Sequence, residues 1–88
     1  MENRIAIIGI MVEDFEATEK INLVLHEVGQ YIVGRMGIPY KDRSIYVISV
    51  IIDAPNDIIS SISGKLGMIK GVTAKSMYSR LPSEKAGE

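Results

Sequence analysis

Two short segments of the chain are almost continuously apolar, residues 5–12 and residues 45–52. Both are rich in β-branched side chains, which favours β-strands. A sheet with one face in water would show a polar residue at every second position of such strands. In the second segment both alternating sets are mostly apolar: Ile45, Val47 and Ile51 share one face, and Ile48, Val50 and Ile52 share the other. The pattern therefore predicts strands that are covered on both faces.

The apolar spacing changes to a helical period after the first strand, which we place at about residues 4–12. Asp14 is a suitable N-cap, Glu16 follows where the helix dipole favours acids, and Gly29 is a natural stop. The apolar stripe between them consists of Ala17, Ile21, Val24, Leu25 and Val28. We therefore predict a first helix over about residues 15–28.

The rest of the chain predicts three more strands and one more helix. Residues 31–38 are typical of a strand weakened by two glycines, and a polar connection at 39–43 leads to the third strand at 45–52. Pro55 starts a second helix, whose stripe consists of Ile58, Ile59, Ile62, Leu66 and Ile69 and whose end is frayed by Gly64, Gly67 and Gly71. The fourth strand covers residues 72–78.

The predicted order is β-α-β-β-α-β, the α+β, ferredoxin-like sandwich, with a four-stranded antiparallel sheet and two helices on one face. Right-handed crossovers place strands one and three in the centre and strands two and four at the edges. We expect a single domain over residues 1–80 and a disordered tail over residues 81–88. Because both helices cover the same face, the other face is bare in a monomer, and we expect it to form a homodimer or tetramer.

Composition narrows the classes of function. The net charge of −1 gives no overall attraction to nucleic acid or to anionic lipid. The chain has no cysteine, which excludes disulfides, thiolate metal sites and cysteine nucleophiles. No apolar stretch reaches the ~18 residues that a membrane-spanning helix needs, and Glu2 near the N-terminus does not suit a signal peptide. We expect a cytoplasmic protein with no membrane partner.

Known constellations for chemistry are incomplete. Gly64 and Lys65 lack the preceding glycine and the following Ser or Thr of a phosphate-binding loop. Tyr46 is the only aromatic residue on strands one and three, whereas an RNA-recognition module stacks bases on several. His26 is the only histidine and is predicted to face solvent. We therefore expect no catalytic residues, no metal site and no cofactor.

Two interpretations remain open for the acids that follow the first strand. Glu13 and Asp14 fit a helix start, where Asp is a preferred cap. They also fit an acid/base pair or ligands for a small cation. The helix-start interpretation needs no function and is the simpler of the two.

One segment has a more specific likeness. Residues 63–75, Ser-Gly-Lys-Leu-Gly-Met-Ile-Lys-Gly-Val-Thr-Ala-Lys, together with residues 4–14 and 25–27, resemble the family of iron-only hydrogenase system regulators. The likeness covers about residues 3–80. It implies an ACT-like fold, similar to the C-terminal effector domain of nickel-responsive repressors, and a regulatory or sensing homo-oligomer involved in transcription regulation.

The resemblance also limits what is expected. In nickel-responsive repressors the metal ligands lie at positions that correspond here to Ile48, Val50 and about Asn56, so nickel binding there is not expected. The first strand begins by about residue 4, which leaves no room for their DNA-binding arm, so direct DNA binding is not expected either.

Three hypotheses follow. The first is a non-enzymatic module that binds a small-molecule effector or a hydrogenase-system protein, in a crevice formed by Glu13 and Asp14 of one subunit and Gly34 of another, as the ACT-like resemblance implies. The second is a ligand-free scaffolding oligomer in hydrogenase maturation. The third is a nucleic-acid-binding regulator that uses Lys65, Lys70, Lys75 and Arg80.

Overall fold

The computed structural model describes residues 2–80, and the predicted tail at 81–88 lies outside them. The elements follow the predicted β-α-β-β-α-β order. They are β1 (Asn3–Val12), α1 (Thr18–Glu27), β2 (Ile32–Tyr40), β3 (Ile45–Pro55), α2 (Asn56–Gly67) and β4 (Val72–Tyr78). The part of the chain from residue 2 to residue 80 contains no helix long and apolar enough to cross a membrane.

The four strands form one antiparallel sheet in the order β2-β3-β1-β4. The two most apolar strands therefore occupy its centre, which confirms the prediction. Gly9 marks the middle of the sheet, because it pairs with Ser49 of β3 on one side and with Lys75 of β4 on the other. The register of β2 shifts between Ile32 and Gly34, where the strand contains a bulge.

The core lies between the sheet and the two helices. Both predicted helical stripes are confirmed, because their central residues are buried. These are Ala17, Ile21, Leu25 and Val28 around the first helix and Ile59, Ile62 and Leu66 on the second. The sheet contributes Ala6, Ile8, Ile10, Val12, Ile48, Val50, Ile52, Ala54 and Val72. Each large aliphatic side chain buried here contributes about 1.5–3 kcal/mol relative to exposure, so this layer dominates the stability of the domain.

Element boundaries differ from the prediction at four places. The first helix begins with a 3-10 turn at Phe15–Ala17 and becomes α-helical only at Thr18. Strand β2 continues through Tyr40, because hydrogen bonding to β3 outweighs the polar character of that segment. Strand β3 continues to Pro55, which occupies the N-cap position of α2. Helix α2 ends at Gly67, so Ile69 packs on the core from the turn that follows the helix.

The sheet surface that the helices do not cover is called the open face below. It consists of Ile5, Ile7, Gly9 and Met11 on β1, Gly34, Met36, Ile38 and Tyr40 on β2, Ile45, Val47, Ser49, Ile51 and Asp53 on β3, and Thr73, Lys75 and Met77 on β4. Most of its large side chains are apolar and exposed; Ile51 in the centre, for example, is 40% exposed. The prediction of two apolar faces on β3 is therefore confirmed, and within one chain only one of them is covered.

Candidate functional site

The turn between β1 and α1 carries both predicted acidic site residues. The Asp14 carboxylate accepts a hydrogen bond from the backbone N–H of Glu16 at 3.0 Å, and Asp14 has extended backbone angles. This is the geometry of an N-cap residue, as the sequence predicts. The cap stabilises the 3-10 turn rather than the α-helix itself, which starts at Thr18.

Gly71 holds this turn from the other side. Its carbonyl accepts a 2.8 Å hydrogen bond from the backbone N–H of Glu13. Gly71 has a φ of +80°, and a Cβ at that position would lie 2.6 Å from the Asp14 Cβ. The sequence prediction assigned Gly71 only to the end of the second helix. In the structure it allows the start of β4 to approach the acidic turn closely.

Glu13 and Asp14 face different cavities. Glu13 lines a pocket of about 500 Å³ at one end of the open face. The other lining residues are Met11, Tyr40, Arg43, Ser44, Ile45 and Val47. The pocket combines an apolar floor from β1 and β3 with polar groups from the connection between β2 and β3.

Asp14 lines a groove of about 290 Å³ on the helix side of the sheet, together with Glu16, Ala17, Lys20, Ile69 and Lys70. Its charged side chains are two acids and two lysines. Glu16 and Lys20, four residues apart, both line this groove, where exposed charges of both signs interact through solvent and contribute little to stability.

Gly34 lies at neither cavity. It lines a hollow of about 180 Å³ with Arg35, Met36, Ser49 and Ile51. Val12, just before Glu13, is opposite Tyr46, whereas Gly34 is opposite Ile51. Ile51 lies five positions after Tyr46 on β3, a distance of about 17 Å at ~3.3 Å per residue. Within one chain the structure does not bring Gly34 to the acidic turn, so the predicted crevice needs the Gly34 of a neighbouring subunit.

The pocket beside Glu13 contains a group that sequence reasoning missed. The sequence pattern assigns Arg43 to a polar connection and gives it no role. In the structure Arg43 lines the same pocket as Glu13 and carries the opposite charge. Within residues 2–80, neither side chain forms a salt bridge. The next residue, Ser44, has left-handed backbone angles (φ 55°, ψ 43°) at the end of a 3-10 turn over Lys41–Arg43, which directs the chain back into β3. No short motif in the sequence indicates this pairing.

The structure also locates the residues weighed for metal and nucleic-acid binding. His26 is exposed on α1, and no group of three or more potential metal ligands occurs within residues 2–80. Ile48 and Val50 are completely buried under the helices, where they form part of the core.

The four basic residues of the nucleic-acid hypothesis lie apart. Lys65 donates to Glu27 at 2.8 Å, and Lys70 lines the groove that contains Asp14 and Glu16. Lys75 projects from the open face of β4, and Arg80 follows that strand. These positions do not form a single basic surface.

Comparisons with known proteins agree with this fold. The chain is 32% identical to a solved structure, the uncharacterized protein TM1266 from Thermotoga maritima, with a TM-score of 0.85 over 90% of this chain and 100% of the other. It is 26% identical to the ACT domain from GTP pyrophosphokinase of Chlorobium tepidum, with a TM-score of 0.72 over 85% of this chain and 99% of that domain. These matches show that the fold is ACT-like.

A formyltetrahydrofolate deformylase from Pseudomonas putida shares the fold alone, at 13% identity and a TM-score of 0.61 over 83% of this chain and 28% of the enzyme. No curated protein sequence matches the chain.

The family model gives the most direct assignment. Residues 4–76, most of the chain, match the model of the TM1266-like family, whose provisional description is iron-only hydrogenase system regulator. The agreement of sequence, topology and structural neighbours confirms the resemblance that residues 63–75 indicated. The chain therefore belongs to the TM1266-like family of iron-only hydrogenase system regulators.

Proposed function

We propose that this protein is a non-enzymatic, cytoplasmic regulatory module of the iron-only hydrogenase system, which senses a small molecule in the pocket beside Glu13. The observation that carries the proposal is the pocket of about 500 Å³ in which Glu13 and Arg43 lie above an apolar floor, with neither side chain in a salt bridge to another described residue. Pockets that combine apolar walls with a few polar groups are the usual form of small-molecule sites.

The charges of the pocket suggest the class of ligand. A carboxylate such as Glu13 accepts hydrogen bonds from an ammonium group, and a guanidinium such as Arg43 binds carboxylate or phosphate. Met11, Ile45 and Val47 offer an apolar surface between them. The ligand expected from these groups is a small molecule with a cationic group, an anionic group and an apolar part.

The absence of a catalytic arrangement among the described residues fits a role in binding. Within residues 2–80 the pocket has no histidine, and its hydroxyl groups are those of Tyr40 and Ser44. Activation of a nucleophile needs an adjacent base or a lowered pKa, and within the described residues no hydrogen bond joins either hydroxyl to Glu13, the carboxylate of this lining. A regulator of this type acts by changing its affinity for a partner when the ligand binds.

The proposal can be tested by thermal-shift screening of the full chain against amino acids, nucleotides and metal ions, followed by calorimetry on each hit. We expect a zwitterionic compound to raise the melting temperature, because a ligand that binds only the folded state stabilises it. Glu13→Gln and Arg43→Gln should each weaken its affinity at least about tenfold, the loss of one charged hydrogen bond.

Glu16→Gln is the matched control, because Glu16 is an exposed acid of the same turn that lines the other cavity. It should leave the affinity unchanged. Stabilisation by no compound would contradict the ligand proposal and leave the scaffolding hypothesis, which then requires hydrogenase maturation proteins to be recovered with the purified chain. Equal weakening by Glu16→Gln would place the ligand in the helix-side groove instead.

A further inference from the structure

The centre of the open face contains a glycine, Gly9, that the packing within a single chain does not explain. Gly9 lies in the middle of β1, a central strand, where glycine is conformationally costly and offers no side chain to pack. A Cβ at Gly9 would meet no atom of residues 2–80 within 4 Å. Nothing in this described part of the chain therefore requires glycine at this position, and a β-branched residue would favour the strand.

The pairing register shows what the glycine creates. Gly9 is opposite Ser49, so two small residues lie side by side across the two central strands. On one side of them lies the pair Ile7 and Ile51, and on the other side the pair Met11 and Val47. The open face thus has a shallow trough between two apolar ridges, which we call the central trough.

We propose that a second copy of this chain packs on the open face, with the Ile7–Ile51 ridge of each copy seated in the central trough of the other. The two copies are related by a two-fold axis that lies in the interface, perpendicular to the strands and midway between the central trough and the Ile7–Ile51 ridge. Rotation about this axis places the ridge of each copy over the trough of the other. The contact is then self-complementary, as a two-fold interface requires, and the strands of the two sheets stay nearly aligned, as in common sheet-on-sheet packing.

The area of the face is sufficient for a specific dimer. Four strands ~4.8 Å apart, each ~8 residues long at ~3.3 Å per residue, give a face of about 500 Å² per copy, or about 1,000 Å² for the pair. That is the lower limit expected of a specific interface. The relief of the side chains adds to this projected area.

The chemistry of the face favours an identical copy. Its charged side chains are Asp53, near one end of β3, and Lys75, which pairs with Gly9 but lies on the edge strand β4. The long Lys75 side chain can extend its ammonium group past the rim of the contact, so stacking need not bury that charge. Met36 on β2 and Met77 on β4 flank the centre, and flexible methionine side chains adapt to irregular gaps. The same relief supplies both the projection and the recess, so one sequence satisfies both sides.

The test is sedimentation velocity and native mass spectrometry of the full chain at micromolar concentration. We expect a mass that is a multiple of the 9.7 kDa of one chain. Ile51→Lys should raise the dimer dissociation constant by at least about 100-fold, because it brings unpaired charges into the contact. Leu23→Lys is the matched control, since Leu23 is 64% exposed on α1, away from the open face, and this change should leave the dimer intact.

Gly9→Val separates association from folding. The single chain has room for the side chain and valine favours a strand, so the folded monomer should be at least as stable. The dissociation constant should nevertheless rise at least about tenfold, because the trough is filled. This variant decides the question even if Ile51→Lys does not fold.

A wild-type chain that sediments as a single 9.7 kDa species would overturn the proposal. So would an oligomer that keeps its wild-type affinity in the Gly9→Val variant. The pocket beside Glu13 shares Met11, Ile45 and Val47 with the open face, so ligand binding is tested separately, by the Glu13 and Arg43 variants.

Discussion

The backbone N–H of Glu13 donates a 2.8 Å hydrogen bond to the carbonyl of Gly71. This bond joins the end of β1 to the residue just before β4, where the chain turns with a φ of +80°. It fixes the acidic turn, on which the proposed pocket depends, to the edge of the sheet. The geometry of the site is therefore coupled to the conformation of a residue almost 60 positions away in sequence.

Gly71→Ala should destabilise the protein by about 1–3 kcal/mol, because alanine is strained at positive φ and its Cβ would lie 2.6 Å from that of Asp14. Urea unfolding followed by circular dichroism measures the change. Gly64→Ala is the control: Gly64 lies inside α2 with no atom within 4 Å of a Cβ, so alanine there should stabilise by about 0.5–1 kcal/mol. Equal effects at both positions would contradict the packing of Gly71 against Asp14.

Val50→Lys should abolish folding, whereas Ile51→Lys should leave a folded chain. Val50 is completely buried against the helices, and an unpaired charge there costs about 3–5 kcal/mol. That is a large part of the ~5–15 kcal/mol that stabilises a typical domain. Far-UV circular dichroism and a thermal melt distinguish the two variants. A cooperative melt of Val50→Lys at the wild-type temperature would show that β3 faces the other way, with Val50 rather than Ile51 on the open face.

Arg4→Lys should lower the free energy of unfolding by about 0.5–1.5 kcal/mol. The Arg4 guanidinium donates to the Ser79 carbonyl at 2.8 Å, and its carbon lies 4.8 Å from the centre of the Tyr78 ring. Lysine cannot reproduce this planar contact. Arg35→Lys is the control, because Arg35 makes a single exposed bond to Asn22 and should lose less than about 0.5 kcal/mol. Denaturant titration would refute the assignment if the larger loss occurred at Arg35.

Removing the salt bridge between Lys65 and Glu27 should have almost no effect on stability. Their charged atoms are 2.8 Å apart, but both side chains are more than half exposed. Solvent screens such pairs, and their coupling is typically below about 1 kcal/mol. A double-mutant cycle of Lys65→Ala and Glu27→Ala, read by urea unfolding, measures it. A coupling of several kcal/mol would indicate that the pair is shielded from water, for instance by a bound partner.

The local pattern of the sequence was enough for the elements and for the core. The helical stripe around Ile21 and Leu25 and the alternation of Ile48, Val50 and Ile52 depend only on residues within a few turns or strand positions of one another. The same alternation placed Ile51 on a second apolar face. The Asp14 cap was predictable for the same reason, because its partner Glu16 is two residues away.

What the sequence determined by itself is therefore the order of the elements, the residues that face the core, and the presence of an apolar face that the helices do not cover. Only the tertiary structure decided that Arg43 shares a pocket with Glu13, that Gly71 packs on Asp14, and that Gly9 and Ser49 lie side by side. Those relationships join residues far apart along the chain, and strand register and the conformation of single turns set them. Periodicity carries no information about register, so the pattern that specified the layers could not specify the site.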